Sequence, residues 1–336
     1  MSQDPAGFRP KRFPAPEFPP RQTRLFARTP PVIFTALAGL MSVPLVLREV
    51  LIATDLPVAA ADMAAGILLA FWLFCTFALT VRIVQLPSVI TDDFRVIVSR
   101  NGLFSAMISG MIAGQLIRPL WPAISLGLTL VALVAHLGLA LVFFTLAWRN
   151  RREARPHSWA WQDPGMQLIC AGPLVAVPAL IGQGWTGAAL GLSALCLVPA
   201  SLALLAGLVA LLREQTPAPL RPMLVLHLAP VALCAIVALD FGQETLAAVL
   251  GLTALLMLFV MVAAVGWLSR AGFTPIWGSA IWPIVLVADS LAQGGATGTS
   301  AAVLLAVSVF AAVVCWRIFR LWPKGRLADM TNTGEA

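Results

Sequence analysis

The chain has 336 residues, of which 60% are hydrophobic and 11% are charged, and its formal net charge is +7. Soluble domains carry about 25% charged residues, so the composition excludes an ordinary soluble protein and indicates a polytopic membrane protein. The basic residues lie mostly in predicted loops and tails, which is a signal of membrane topology, and we therefore expect no nucleic-acid partner.

The N-terminal segment, residues 1–29, is basic and rich in proline and shows no hydrophobic periodicity. It contains six Lys/Arg residues, and its composition predicts a disordered cytoplasmic tail beside the membrane surface. Residues 30–320 are predicted to form one membrane domain, and residues 321–336 a short cytoplasmic tail.

Ten apolar stretches in this domain are long enough to be interpreted as transmembrane helices. In chain order they are Pro31–Leu47, Ala59–Val81, Leu103–Leu116, Pro122–Trp148, Gly165–Gly182, Ala188–Leu212, Met223–Leu239, Leu246–Leu268, Pro275–Ala292 and Ala301–Phe319. The links between them are short, so consecutive spans are expected to pair as helical hairpins. The predicted fold class is an all-α integral membrane protein with ten transmembrane helices.

The Lys/Arg residues predict the orientation of these spans. With the N-terminus in the cytoplasm, 20 of the 22 Lys/Arg residues lie on the cytoplasmic side, with Arg317 at the cytoplasmic end of the tenth span counted among them, and only Arg48 and Arg118 lie outside. Cytoplasmic loops are enriched in Lys and Arg, so the pattern predicts a multi-pass protein of the cell inner membrane with both termini cytoplasmic. It also favours an even number of spans.

Prolines recur inside the odd-numbered spans, at Pro44, Pro173, Pro230 and Pro283, while the third span has Gly110 and Gly114 instead. A proline removes a helix hydrogen bond and kinks the helix. Interrupted helices at corresponding positions are typical of a transport pathway. We therefore predict that the odd spans surround a pathway and the even spans face lipid. Ordinary kinks that arose by chance are the alternative.

The ninth span contains the stretch FTPIWGSAIWPIVLVAD, Phe273–Asp289. Gly278 and Ser279 are small enough to let a lumen or a neighbouring backbone come close, and Trp282 puts a large ring beside the kink at Pro283. The pattern suits a pore wall with an aromatic plug. The alternative is a lipid-facing helix with an ordinary proline kink and an interfacial tryptophan.

Three ionisable residues are candidates because charged groups at membrane depth are costly and often functional. His227 lies three residues before Pro230, and both a pathway role and a neutral, hydrogen-bonded packing role are open for it. For His136 the packing role is preferred. Asp289 could reach inward from the ninth span and serve in proton coupling; the alternative, a helix-end carboxylate in water, is preferred.

No sequence pattern predicts a catalytic site, a metal site or a cofactor. The five cysteines all lie in apolar segments without a CxxC spacing and are interpreted as packing residues. A Ser-His-Asp set and a phosphate-binding loop are both absent from the sequence pattern. The chain is therefore not predicted to be an enzyme.

The stretch FTPIWGSAIWP, Phe273–Pro283, resembles the ninth-helix signature of the TehA-type tellurite-resistance and C4-dicarboxylate transporter family. That family includes plant slow anion channels, malate permeases and sulfite exporters. Phe273, Trp277, Trp282 and Pro283 match the spacing of the signature. The segments Pro30–Glu49 and Ser99–Ile117 are similar to the first and third helices of the family.

The resemblance implies five helical hairpins around a quasi-five-fold axis, with the odd helices lining a central pore, and a homotrimeric assembly. It also implies that Trp282 stands where the family has a phenylalanine that plugs the pore. The expected function is movement of small anions, such as inorganic anions, dicarboxylates and oxyanions like tellurite and sulfite, across the lipid bilayer. A proton-coupled exporter of a weak acid or drug, and a non-transporting scaffold or sensor, are the alternatives.

Overall fold

The computed structural model describes residues 25–149, 163–213 and 216–331. The predicted tails therefore lie partly outside the described residues. The described chain folds into α-helices joined by short turns and 3₁₀ segments. The α-helices are α1 (Ile33–Ala53), α2 (Ala59–Gln85), α3 (Val89–Arg95), α4 (Ile97–Ile117), α5 (Pro122–Arg149), α6 (Met166–Ala171), α7 (Val177–Gly182), α8 (Thr186–Arg213), α9 (Leu228–Asp240), α10 (Glu244–Ala263), α11 (Val265–Leu268), α12 (Ile281–Gln293), α13 (Thr297–Leu321) and α14 (Arg326–Thr331).

Eight helical segments in the described ranges are long and apolar enough to cross a membrane, or nine if the bent pair α3–α4 is one span. The two helices of that pair meet at 115°. In the region of the fifth predicted span, the structure has the apolar segment Met166–Gly182, which is shorter than the others. Together these segments agree with the predicted all-α, multi-pass membrane class, and eight of the ten predicted spans meet the length and apolarity criterion individually.

Three of the odd-numbered spans change from a 3₁₀ segment to an α-helix within the span, at the starts of α7, α9 and α12. The 3₁₀ segments are Gly172–Ala176, Ala218–His227 and Pro275–Ala280. Pro178, Pro230 and Pro283 each lie in the first turn of the α-helix that follows. A residue in the first turn donates no hydrogen bond within its helix, so proline fits there. The breaks therefore precede these prolines.

The odd-numbered spans form the interior of the protein. The share of the most apolar stretch that is buried is 89% for Ala218–Asp240, 83% for Pro275–Gln293 and 50% for α1. The corresponding share is between 22% and 33% in the five even-numbered spans, namely α2, α5, α8, α10 and α13. Most of α4 and α6 is also buried. This division agrees with the odd-inside, even-outside arrangement predicted from the prolines.

Contacts between the interior segments run from each odd-numbered span to the next. α1 contacts α4, α4 contacts the 3₁₀ segment Gly172–Ala176, α6 and α7 contact α9, α9 contacts α12, and α12 contacts α1. Each interior segment also contacts the exterior helix that follows it in the chain. The first and ninth spans are therefore neighbours, although they are far apart in sequence.

Arginines at the end of the protein near the two termini are buried in ion pairs and cation–aromatic contacts. Arg82 forms two hydrogen bonds to Asp93, of 2.7 and 3.2 Å, and both side chains are almost fully buried. Arg100 pairs with Asp163, which also accepts a hydrogen bond from the Gly165 amide. These basic residues thus fix the loops to the helices and are not simply solvated.

Glycines allow the closest approaches of α1 to its neighbours. A Cβ atom added to Gly102 of α4 would lie 2.2 Å from the Pro31 carbonyl carbon, and one added to Gly39 would lie 2.6 Å from the Trp282 amide nitrogen. Neither contact can be relieved by rotating a side chain, because the blocking atoms include backbone. Glycine is therefore required at both positions.

We expect Gly102→Ala to lower the free energy of unfolding by about 3 kcal/mol, because the new methyl group forces the backbone of α4 away from Pro31. Gly138→Ala is the control, since no atom lies within 4 Å of its added Cβ, and it should be neutral or slightly stabilising. Unfolding in mixed micelles, followed by circular dichroism, measures both. Equal stability of the two variants would contradict the close packing at Gly102.

Candidate functional site

A cavity of about 730 Å³ lies among the C-terminal ends of the interior segments, and residues from all five odd-numbered spans line it. This is the end of the protein that the Lys/Arg pattern predicts to be external. Representative lining residues from these spans are Pro44, Gln115, Val175, Pro178, Ile236 and Trp282. Each interior span thus contributes at least one residue to the same space.

Trp282 lines the inner part of this cavity. It lies in the first turn of α12 and is 2% exposed, and it is the lining residue of α12 furthest from the helix end. From Gln293 at that end to Trp282, the helix rises roughly 16 Å at 1.5 Å per residue. The Trp282 Nε1 atom has no hydrogen-bond partner among the described residues. The indole is therefore held by packing alone.

The walls of the cavity carry more negative than positive groups. The charged lining residues are Arg48, Glu49, Asp62, Arg118, Asp240 and Asp289. With every group ionised, two positive charges face four negative ones. Arg48 donates a hydrogen bond of 2.6 Å to Asp62, and Gln293 donates one of 2.9 Å to Asp289. After the Arg48–Asp62 pair is set aside, Arg118 is the remaining cation of the lining.

Three of the residues singled out in the sequence, Pro44, Trp282 and Asp289, line this cavity. The two glycines of the third span face the exterior helix α5 instead. A Cβ on Gly110 would lie 3.0 Å from Ala132, and one on Gly114 would lie 2.2 Å from the Thr129 hydroxyl. These glycines therefore permit helix packing and lie outside the lining of the cavity.

The small residues of the ninth span also pack against neighbours. A Cβ on Gly278 would lie 2.8 Å from the Thr35 hydroxyl of α1 and 3.0 Å from Ile318 of α13. Ser279 is buried and donates a hydrogen bond of 2.7 Å to the Ile276 carbonyl. Neither residue lines the cavity, so the space for the Trp282 ring is not supplied by them.

The remaining prolines, Pro173, Pro230 and Pro283, are buried beside the helix breaks and are also outside the cavity lining. Their effect on the cavity is indirect. They lie near the starts of the α-helical halves of the fifth, seventh and ninth spans, and these halves supply most of the lining residues of the three spans.

His227 lies between the seventh span and an exterior helix. It is 2% exposed, and a Cβ added to Gly207 of α8 would lie 2.6 Å from its ring. Both ring nitrogens are without a hydrogen-bond partner in the described part of the chain. His227 thus faces α8 and is absent from the cavity lining, which favours the packing interpretation over a pathway role.

His136 of α5 compensates for the break in the fifth span. In a regular helix the Ile169 carbonyl would accept a hydrogen bond from residue 173, but Pro173 has no N–H. The Nε2 atom of the buried His136 lies 3.1 Å from that carbonyl oxygen, and its N–H tautomer donates to it. His136 therefore has the packing role expected for it, and this role is a hydrogen bond from the exterior helix α5 to the interrupted fifth span.

The sequence placed Asp62 and Asp240 near the outer ends of their spans, but it did not predict that they line one cavity together with Glu49 and Arg118. A partial signal exists in the sequence. Arg48 and Arg118 are the only two Lys/Arg residues in the predicted external segments, and both line the cavity. The two exceptions to the topology rule thus lie in the wall of the cavity.

No protein-family model matches this chain, and no curated protein matches it significantly. The resemblance noted at Phe273–Pro283 is therefore a prediction from the motif. The cavity, its aromatic end and the arrangement of the interior helices carry the functional argument.

Proposed function

We propose that the protein is a membrane transporter or channel that moves small anions through a central pathway gated by Trp282. The observation that carries this proposal is the cavity that reaches all five interior spans and ends at a buried tryptophan. Such a cavity brings solute to roughly mid-membrane, where one aromatic ring separates it from the other half of the protein. A ring in a narrow passage blocks a hydrated ion by its bulk and by excluding water.

The proposed architecture is five helical hairpins around a quasi-five-fold axis, in a homotrimer in which each protomer has its own pore. The succession of contacts among the interior spans, from the first through to the ninth and back to the first, supports the five-fold arrangement. The trimer follows from the family resemblance. The excess of Lys/Arg in one set of segments supports an inner-membrane location with cytoplasmic termini.

The proposed solutes are inorganic anions, dicarboxylates and oxyanions such as tellurite and sulfite. Arg118 and the paired Arg48 are the cations of the cavity wall that an anion would meet. Guanidinium groups suit oxyanions because their planar N–H donors match two acceptor oxygens at once. The α-helical halves that begin inside the membrane, α9 and α12, add the positive ends of their dipoles near the passage.

A proton-coupled exporter of a weak acid or drug is the second candidate. The observation that favours it is the carboxylate excess of the cavity, which includes Asp289 of the ninth span and Asp240 of the seventh. A carrier that exchanges solute for protons needs a protonatable group in its pathway, and both side chains occupy such a position.

A flux panel distinguishes these candidates. Purified protein in vesicles is loaded with chloride, nitrate, sulfite or malate, and efflux is measured with and without a pH gradient. An anion channel should release at least one of these anions without a gradient, and Asp289→Asn should retain that flux. A coupled exporter should require the gradient and lose its coupling in Asp289→Asn. Glu244→Gln is the matched control, because Glu244 is exposed and lies outside the lining.

Absence of flux for all four anions, in folded protein and under both conditions, would contradict the proposal and favour the scaffold or sensor class.

A further inference from the structure

A second cavity, of about 470 Å³, lies at the opposite end of the protein from the first. It is formed by the residues just before α1, by one side of α2 and by the turn between α13 and α14. The side chains that matter for its chemistry are Phe26, Arg28, Thr29, Phe74, Trp322 and Lys324. The proposed function uses none of these residues.

The polar part of this cavity is suited to an anion. Arg28 and Lys324 both line it, and a Cβ added to Gly325 would lie 2.8 Å from an Arg28 guanidinium nitrogen. Gly325 has φ of +67°, so a glycine both forms this turn and lets the guanidinium pack against it. Arg28 therefore packs against the backbone of Gly325, the residue that follows Lys324, and the two cations lie close together.

A buried hydroxyl adds a donor beside the two cations. Thr29 is 1% exposed, lines the cavity, and its Oγ1 has no hydrogen-bond partner among the residues that the structure describes. Buried polar groups normally have a partner, so an unpaired hydroxyl in a cavity wall indicates a group other than the described residues. Arg28 also pairs with Asp329.

The rest of the wall is aromatic and continues onto the membrane-facing surface. The Phe26 ring packs edge-on against Phe74 and Phe77, with centroid distances of 5.9 Å to each, and Phe74 lies 5.9 Å from Trp322. Phe77 is 58% exposed and Leu25 is 72% exposed. A ligand with its anionic group in the cavity would therefore have an apolar surface directly beside it.

The depth of the cavity fits the boundary between head groups and acyl chains. Phe74 lies two turns inside the end of the second predicted span at Val81, which is roughly 10 Å at the rise of an α-helix. Arg28 and Lys324 lie outside the ends of α1 and α13. The cations are thus placed at head-group level and the aromatic rings at the start of the hydrocarbon, where tryptophan is enriched.

We propose that this cavity binds the head-group phosphate of an anionic phospholipid. Arg28, Lys324 and the Thr29 hydroxyl contact the phosphate, and the acyl chains lie along Phe74, Phe77 and Leu25. The proposal is independent of what the central cavity transports.

The test uses the full-length protein in detergent, with bound lipid counted by native mass spectrometry during titration with phosphatidylglycerol or phosphatidylcholine. Phosphatidylglycerol should bind more tightly than phosphatidylcholine. Lys324→Gln should weaken its binding about fivefold, the effect of one cation at a membrane surface, and Lys324→Gln with Thr29→Val should weaken it further. Lys324 is exposed, so its replacement leaves the fold intact.

Arg270→Gln is the matched control, since Arg270 is an exposed cation on the same predicted side and outside the cavity. Equal binding of the two lipids, or equal weakening by Arg270→Gln and Lys324→Gln, would overturn the site. Inorganic phosphate that binds without lipid and displaces phosphatidylglycerol at equal concentration would instead identify a free-phosphate site and overturn the lipid assignment.

Discussion

Trp282→Ala is expected to raise the basal anion conductance of the reconstituted protein by about thirtyfold. The ring is buried at the inner end of the cavity and has no hydrogen-bond partner among the described residues. Displacing a buried side chain costs about 2 kcal/mol of packing, and a barrier lowered by that amount corresponds to roughly thirtyfold in rate. Currents in planar bilayers, or anion efflux from vesicles, measure the change.

Two variants control this experiment. Trp282→Phe should remain largely closed, because a phenyl ring still fills most of the passage. Trp277→Ala should leave conductance near that of the parent. Trp277 packs edge-on against Phe310 at 6.0 Å and donates a hydrogen bond of 3.4 Å to the Gly272 carbonyl, away from the cavity. A folded Trp282→Ala protein that conducts no more than the parent would remove Trp282 from the gate.

Arg82→Ala is expected to lower the free energy of unfolding by about 3–5 kcal/mol, because it leaves the Asp93 carboxylate buried without its guanidinium partner. The exposed fractions of the Arg82 and Asp93 side chains are 0% and 1%. The pair joins the end of α2 to α3, which precedes the interior helix α4. Unfolding in mixed micelles measures the loss, and a reduced yield of folded protein should accompany it.

An exposed ion pair within α3, the helix that contains Asp93, provides the control. Arg95 lies 3.3 Å from Asp92, and the two side chains are 75% and 55% exposed. Arg95→Ala should change the free energy of unfolding by no more than about 0.5 kcal/mol, the usual value for an exposed pair. The double variant Arg82→Met with Asp93→Leu should recover much of the lost stability. Similar losses in Arg82→Ala and Arg95→Ala would show that burial is not the cause.

The local features of the fold follow from the sequence by itself. In lipid, every backbone hydrogen bond of a span must be made within that span, so apolar stretches such as the second and eighth predicted spans become helices whatever surrounds them. Prolines act locally too, and the breaks before Pro230 and Pro283 occur in the spans where they were expected. The interior position of the fifth, seventh and ninth spans could therefore be predicted from their prolines, whereas α1 runs unbroken through Pro44 and the third span has no proline.

The rotation of each helix about its axis was decided only by the tertiary structure. A membrane helix is apolar on nearly every face, so its sequence does not indicate which face meets lipid, a neighbouring helix or a cavity. Gly114 and His227 face exterior helices for this reason, although both were candidates for the pathway. Asp240 and Asp289 share a cavity because α9 packs against α12. That contact depends on side chains from several spans at once, and no local pattern contains it.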